Sequence, residues 1–278
     1  MTKDIKAVYQ GAFNSLNNIK VSPLSRAYLF ADSIYEVIPF QNKKFIYAKE
    51  HLERLIYSSS QVKIKIDIDK VKDEIFHLLE ESDIHNGYIY YQVSRGIDIT
   101  RSHIYDQNIS PETFGYLMPL DLDFKKQNLT VSLCADIRWS RCDIKTTSLL
   151  GNVIQMNSVS EEGCDEIIMH RDGLLTEGGA SNIFFVKEEK IFTPQLSSNI
   201  LPGITRAILI EIIKENNLPF EEGEFYIDDL KEASSIWFTS STKGIAAVKR
   251  IIDLDIELNP HDALLKKCQS LYKEKVSS

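Results

Sequence analysis

The sequence predicts an α/β (α+β) chain in two parts, a smaller N-terminal α/β domain and a larger C-terminal domain. Three observations carry this reading. Short runs of β-branched and aromatic residues alternate with helix-period stretches along the chain. The 278 residues are 43% hydrophobic, enough for one large core or two modest ones. The stretch Tyr116–Phe124 contains Pro119 and then alternating Asp and Leu, which reads as a connection between halves. The expected limits are 1–118, a linker at 119–124, and 125–278.

The elements follow in order. Lys44–Tyr47 has the look of a short strand. A helix near Ala48–Gln61 places Leu52, Leu55 and Ile56 on one face, and a second near Lys70–Glu81 does the same with Val71, Ile75, Leu78 and Leu79. His85-Asn86-Gly87 is a turn signal. Tyr88–Val93 is rich in β-branched and aromatic residues and predicts a buried strand, ending in Ser94-Arg95-Gly96. Beyond the connection, Leu129–Ala135 is a strand. Glu166–His170 and Leu174–Glu177 form a hairpin about Arg171-Asp172-Gly173. Asn182–Val186 and Lys190–Thr193 form another pair. A helix starts after Pro202-Gly203 and runs to about Asn216. Ser235–Ser240 is a strand, and Asp262–Lys275 is the last helix.

Composition excludes several classes of partner. Charged residues make up 26% and aromatic residues 10%, as in an ordinary globular protein. The net charge of -8 argues against nucleic acid or an anionic membrane as the main partner. The start, Met1–Lys6, has no apolar stretch behind its charges, and the longest apolar runs are too short to span a bilayer. Cys134, Cys142, Cys164 and Cys268 form no CxxC pair, and no histidine lies at metal-ligand spacing from them. They read as reduced thiols of a cytoplasmic protein, with no metal expected.

Four short stretches carry chemistry. Lys145 ends Asp136-Ile137-Arg138-Trp139-Ser140-Arg141-Cys142-Asp143-Ile144-Lys145. Glu177 opens Glu177-Gly178-Gly179-Ala180-Ser181-Asn182, a small-residue turn that allows close approach of backbone amides to a ligand. Leu201-Pro202-Gly203-Ile204-Thr205-Arg206 puts a Pro-Gly turn at a helix start, where free amides and the helix dipole favour a phosphate. Thr239-Ser240-Ser241-Thr242 offers hydroxyls and amides at a strand end. Each alone is an ordinary lysine, turn or loop. Together they supply an amine, a carboxylate and an anion-binding set.

At this point the sequence resembles the pyridoxal 5'-phosphate (PLP) enzymes of fold type IV, which include D-amino acid aminotransferases, branched-chain aminotransferases and aminodeoxychorismate lyases. Glu177-Gly178…Ser181-Asn182-Ile183-Phe184 and Leu201–Arg206 are similar to the motifs of the whole superfamily. Tyr35-Glu36-Val37, Glu50-His51-Leu52-Glu53-Arg54-Leu55, Tyr91–Gly96 and the long Asp136–Lys145 stretch are most similar to the D-amino acid aminotransferase subfamily. The resemblance runs from about Ser25 to the last helix.

The resemblance implies a larger C-terminal domain with a β-barrel-like core. It also implies that Lys145 forms a Schiff base with PLP and then moves the substrate Cα proton, while Glu177 pairs with the ring nitrogen. Arg54, the amides of Ile204 and Thr205, and the Ser240-Ser241 segment would bind the phosphate, with Leu201 against the ring face and Ser181 among the cofactor's neighbours. Tyr35, Arg101 and His103 would bind the substrate α-carboxylate, the last two arriving from the second subunit of a homodimer. The implied reaction is transfer of the amino group of a D-amino acid to a 2-oxo acid such as pyruvate or 2-oxoglutarate.

Branched-chain aminotransferases tend to carry glycine where this chain has Val37. Lyases tend to carry threonine there, to place a proton donor, which valine lacks. A non-catalytic relative is the reading from another class. It predicts loss of the lysine or the acid, and both are present.

Overall fold

The structure, a computed structural model, describes residues 5–122 and 128–277. The chain divides into two compact units, Met1–Asp121 with Ile144–Ser148, and Leu122–Asp143 with Leu149–Ser278. Of the expected linker at 119–124, residues 123 and 124 lie outside the described residues, as do the start of the chain through Asp4 and residue 125.

The first unit contains β1 (Lys6–Tyr9), β2 (Ala12–Ser15), α1 (Arg26–Phe30), β3 (Ser33–Gln41), β4 (Lys44–Phe45), α2 (Ala48–Val62), α3 (Ile68–Glu80), β5 (Gly87–Ser94) and β6 (Glu112–Pro119). The strands form one antiparallel sheet in the order β2-β1-β6-β5-β3-β4. Side chains alternate across its two faces. Ile34, Ile38 and Phe40 of β3, Ile89, Tyr91 and Val93 of β5, and Leu117 of β6 pack against Leu52 and Leu55 of α2 and Val71, Ile75, Leu78 and Leu79 of α3. The opposite face carries Tyr35, Tyr90, Phe114 and Tyr116, whose rings stack or tilt together at centroid distances of 5.2–6.4 Å. Two expectations change here. Tyr116–Pro119 is not connecting chain but the end of β6, paired to both β1 and β5. Gly115 and Pro119 hid the strand, since neither residue type favours one. Ile56 points to solvent, because the buried face of α2 is centred on His51, Arg54, Leu55 and Ser58.

The second unit contains β7 (Leu129–Ala135), α4 (Leu150–Glu161), β8 (Glu166–Arg171), β9 (Leu174–Gly178), β10 (Asn182–Lys187), β11 (Lys190–Pro194), α5 (Ile204–Glu215), β12 (Phe220–Gly223), α6 (Ile227–Leu230), β13 (Ser235–Ser240), β14 (Gly244–Ile251), β15 (Ile256–Glu257) and α7 (Ala263–Ser277). Its mixed sheet runs β12-β11-β10-β13-β14-β7-β8-β9, with β15 on β14. Strand β9 also lies against β10 and β11, so the sheet curls into a half-barrel. The curl closes around Leu175, Ile183, Phe185, Ile236, Phe238 and Val248. Asp172 and Gly173 both take positive φ in the β8–β9 turn, the tight hairpin the sequence signalled.

This is the expected α/β (α+β) two-part architecture with a barrel-like second part. Among the described residues no helix is long and apolar enough to cross a membrane.

Candidate active site

In the first unit the candidate residues gather at two places. The first is the edge of β3. Ile144–Ser148 runs beside the start of that strand: the Tyr35 amide donates to the Lys145 carbonyl at 3.0 Å, and the Thr147 amide donates to the Ser33 carbonyl at 3.1 Å. The Lys145 amide donates to Ser58 Oγ on α2 at 3.2 Å. Backbone bonds thus fix the lysine on both sides, and its Nζ sits 4.4 Å from the centroid of the Tyr35 ring.

Beneath it, on the helix-facing side of β3, Glu36 is fully buried. Arg54 binds it in a fork, Nε to Oε1 and Nη2 to Oε2, each at 2.8 Å. His51 Nδ1 adds a contact at 2.7 Å. Burial pushes the Glu36 carboxyl up, but the charge and hydrogen bonds of Arg54 and His51 outweigh it and hold the group well below the usual range. Burial lowers His51, against the pull of Glu36, and the charge on Lys145 pushes the same way as burial. Arg54 and Ser58 are one helical turn apart, so one face of α2 serves both the phosphate-binding candidate and the lysine backbone.

The second place is the loop between β5 and β6. Arg101 and His103 are exposed there, and both rest on the Phe30 ring, at 5.1 and 5.6 Å from its centroid. Tyr35 is not part of this cluster; it belongs to the aromatic face of the sheet.

In the second unit the remaining candidates surround the start of α5. Glu177 lies near the end of β9 and is buried. Arg138 Nη1 meets its Oε1 at 2.6 Å, Asn182 Nδ2 donates to Oε2 at 2.9 Å, and the Leu201 amide donates to both oxygens at 3.2 Å. Arg138 is shared, since its Nε and Nη2 bind Asp136 at 2.9 Å. Burial, the largest influence, pushes Glu177 up to about 7 against the pull of Arg138 and the Leu201 amide. Asn182 Nδ2 also donates to the Leu201 carbonyl at 2.9 Å. A Cβ on Gly203 would fall 2.0 Å from Asn182 Oδ1, so only glycine fits before the helix. Gly203 brings no capping side chain and the first turn carries no acid, so the amides of Ile204 and Thr205 lie at a dipole end suited to an anion.

Ser181 and Ser240 flank the pairing of Asn182 with Thr239 and are therefore neighbours. A fully buried carboxylate, Glu166, ties their two turns together. It accepts from the Gly179 amide at 3.0 Å and from Ser181 Oγ at 3.1 Å, and it pairs with Lys243 Nζ at 2.7 Å. The Lys243 amide in turn donates to Ser240 Oγ at 3.2 Å. The single hydroxyl proton of Ser181 is committed to Glu166, which leaves its backbone amide as the donor for any anion. Ser241 follows at the half-buried turn.

Sequence reasoning missed Glu36, His51, Ser58, Arg138, Asn182, Glu166 and Lys243. Only the first five sat inside or near recognised motifs; Glu166 and Lys243 meet across 77 positions of chain, which no local pattern reports.

The geometry has counterparts among known proteins. A family model described as Amino-transferase class IV matches residues 33–251. The chain is 32% identical over 259 residues to a D-alanine aminotransferase of Listeria monocytogenes serotype 4b (strain F2365), covering 90% of this chain and 89% of that one. It is 31% identical over 278 residues to a D-alanine aminotransferase of Bacillus licheniformis, covering 99% and 98%. Its fold matches that of a branched-chain amino acid aminotransferase from Thermobaculum terrenum in its PLP-bound holo form, with a TM-score of 0.87, 18% identity and coverage of 99% and 95%. Fold, site chemistry and relatives agree: the chain belongs to the class IV aminotransferases, the PLP-dependent enzymes of fold type IV.

Proposed function

We propose that this aminotransferase moves the amino group of D-amino acids to a 2-oxo acid such as pyruvate or 2-oxoglutarate, with PLP held on Lys145. The observation that carries the proposal is the pairing of chemistries: a lysine fixed by its backbone over an aromatic ring, and a buried carboxylate near neutrality beside an uncapped helix start. These residues fit the group. Bound PLP supplies an aldehyde that takes up amines and a ring that accepts electrons from the substrate Cα.

The protein's own residues do the rest. Lys145 Nζ would attach the cofactor, and as a free amine it would move the substrate Cα proton. Glu177 would hold a proton on the ring nitrogen, and a cation there would favour its carboxylate form. The amides of Ile204 and Thr205, the Ser240-Ser241 turn and Arg54 bind the phosphate; Glu36 occupies the Nε–Nη2 edge of Arg54 and fixes its direction. Leu201, anchored through its amide and carbonyl, would pack on the ring, with Ser181 among the cofactor's neighbours. Tyr35, Arg101 and His103 take the substrate carboxylate and so decide which enantiomer turns its Cα–H toward Lys145. Val37, next to Tyr35 and Glu36, has no proton to give, which favours transfer over a lyase reaction.

We assign a homodimer as the working unit. On α4, Leu150, Val153 and Ile154 are 71%, 53% and 53% exposed, and Ile137 and Trp139 are exposed on the same unit. The four cysteines are free thiols, three of them buried, which accords with a cytoplasmic setting. The test is to offer D-alanine, L-leucine and aminodeoxychorismate to the purified enzyme with both oxo acids. D-alanine is the expected donor. Turnover of L-leucine without D-alanine would replace this reading by a branched-chain one, and release of the carbon side chain from aminodeoxychorismate by a lyase.

A further inference from the structure

The loop from Ile97 to Pro111 joins β5 to β6 with almost no regular structure of its own. Loops this long are usually either mobile or functional. This one is held from beneath by a side chain that the proposed chemistry does not use. Arg26, the first residue of α1, is 3% exposed. Its Nη1 donates to the Ser102 carbonyl at 2.7 Å and its Nη2 to the His103 carbonyl at 3.4 Å. Its Nε pairs with Asp32 at 2.9 Å, and Asp98 lies 3.8 Å from Nη1. The α1 end is also joined to the loop through the backbone, since the Arg26 amide donates to the Gly96 carbonyl at 2.8 Å and Ser25 bridges Ile97.

Phe30, one turn along α1, is the second contact. Arg26 Cζ lies 4.6 Å from its ring centroid, and Arg101 Cζ lies 5.1 Å from it. The His103 ring meets it edge-on, at 5.6 Å and 62°. One half-buried ring is therefore a common rest for two of the side chains that the loop exposes, Arg101 and His103. Further along, Tyr105 packs under Arg95 at 3.9 Å, and Arg95 shares Asp32 with Arg26. A salt bridge meant only to hold α1 in place needs Asp32 alone. The two carbonyl bonds and the shared ring are directed at residues 101–103.

We infer that Arg26 and Phe30 are positioning residues for the substrate carboxylate: Arg26 fixes the backbone of the loop, and Phe30 restricts the side chains of Arg101 and His103 before substrate arrives. This rests on the reading of Arg101 and His103 as carboxylate ligands. Free arginine and histidine side chains must be ordered on binding, and prior ordering removes that cost. For two such side chains the saving corresponds to about a tenfold change in affinity.

The experiment uses the holoenzyme with Phe30→Leu, Phe30→Tyr, Arg26→Met and Arg101→Ala. Phe30→Leu keeps apolar bulk and loses the ring face; Phe30→Tyr keeps the ring. The readouts are KM and kcat for D-alanine (or L-leucine, if that is the donor turned over), competitive inhibition by propionate, and the visible absorbance of the bound cofactor. Phe30→Leu and Arg26→Met should raise KM and the propionate inhibition constant about tenfold. The absorbance should stay as in the wild type, kcat should change less than about twofold, and Phe30→Tyr should behave like the wild type. Unchanged KM and propionate inhibition in Phe30→Leu, with both raised in Arg101→Ala, would overturn the positioning role alone. Unchanged values in Arg101→Ala would overturn the carboxylate reading and this inference with it. A fall in kcat and absorbance as large as the change in KM would mark the residues as general supports and would also overturn it.

Discussion

Glu36 and Glu177 are both buried, both strand residues, and both bound by an arginine, yet burial wins at one and loses at the other. Glu36 receives the whole Nε–Nη2 fork of Arg54 and a third contact from His51. Its carboxyl is held far below the ordinary range. Glu177 receives one nitrogen of Arg138, whose fork is given to Asp136, and its remaining donors are a neutral amide side chain and one backbone N–H. It is pushed up to about 7. Equal burial therefore does not set the charge state; the division of the arginine does. The first carboxylate is a finished structural ion pair. The second is left short of positive charge, the state in which a protonated ring nitrogen is most strongly welcomed.

The comparison can be broken by substitution. Glu177→Gln should have the largest effect: a neutral amide cannot hold the ring nitrogen's proton, and kcat should fall about a hundredfold or more, with the cofactor absorbance shifted. An active Glu177→Gln enzyme would erase the distinction between the two sites. Glu36→Gln should act on stability instead. Leaving the buried Arg54 without its counter-charge should cost about 3 kcal/mol in a urea titration of the apo-protein, and it should loosen the phosphate end.

The pH dependence of apo-protein stability separates the two carboxylates by sign. Glu177 rises from 4.5 to about 7 on folding, so the folded chain keeps a proton that the unfolded chain releases. Its contribution therefore falls as pH rises through that window. Glu36 is depressed, so its contribution is present above the ordinary carboxylate range and is lost on acidification. Urea titrations at several values from pH 4 to 8 should show that Glu177→Gln removes the loss on the alkaline side and leaves the acid limb intact. Asp136→Asn sharpens the point with a smaller effect. It returns the Arg138 fork to Glu177, and the alkaline loss should shrink without vanishing. The smallest effect is expected for Ser181→Ala, which removes one of several partners of Glu166 and should weaken PLP affinity about fivefold.

Much of this was legible in the sequence because it is local. Periodicity marked α3, whose Val71, Ile75, Leu78 and Leu79 are all buried, and Asp172-Gly173 marked its hairpin. The motifs around Lys145, Glu177 and Leu201 marked the candidate cofactor residues because each occupies a few consecutive positions. What stayed hidden depends on pairing at long range. Strand β6 was masked by Gly115 and Pro119 and exists because β1 and β5 flank it. Glu36 lay inside a recognised motif, but its role needs the Arg54 fork from a helix 18 residues away. Arg138 lay inside the Asp136–Lys145 stretch, and only the fold reveals that it divides between Asp136 and Glu177. Arg26 carried no signal at all, being one basic residue among 32.

The central claim is that Lys145 carries the cofactor. Reduction of the holoenzyme with borohydride, followed by digestion and mass spectrometry of the peptides, tests it directly. The account predicts a single phosphopyridoxyl label on the peptide containing Lys145, and none on that peptide in Lys145→Ala. A label on another lysine of the wild-type enzyme, with Lys145 unmodified, would contradict it.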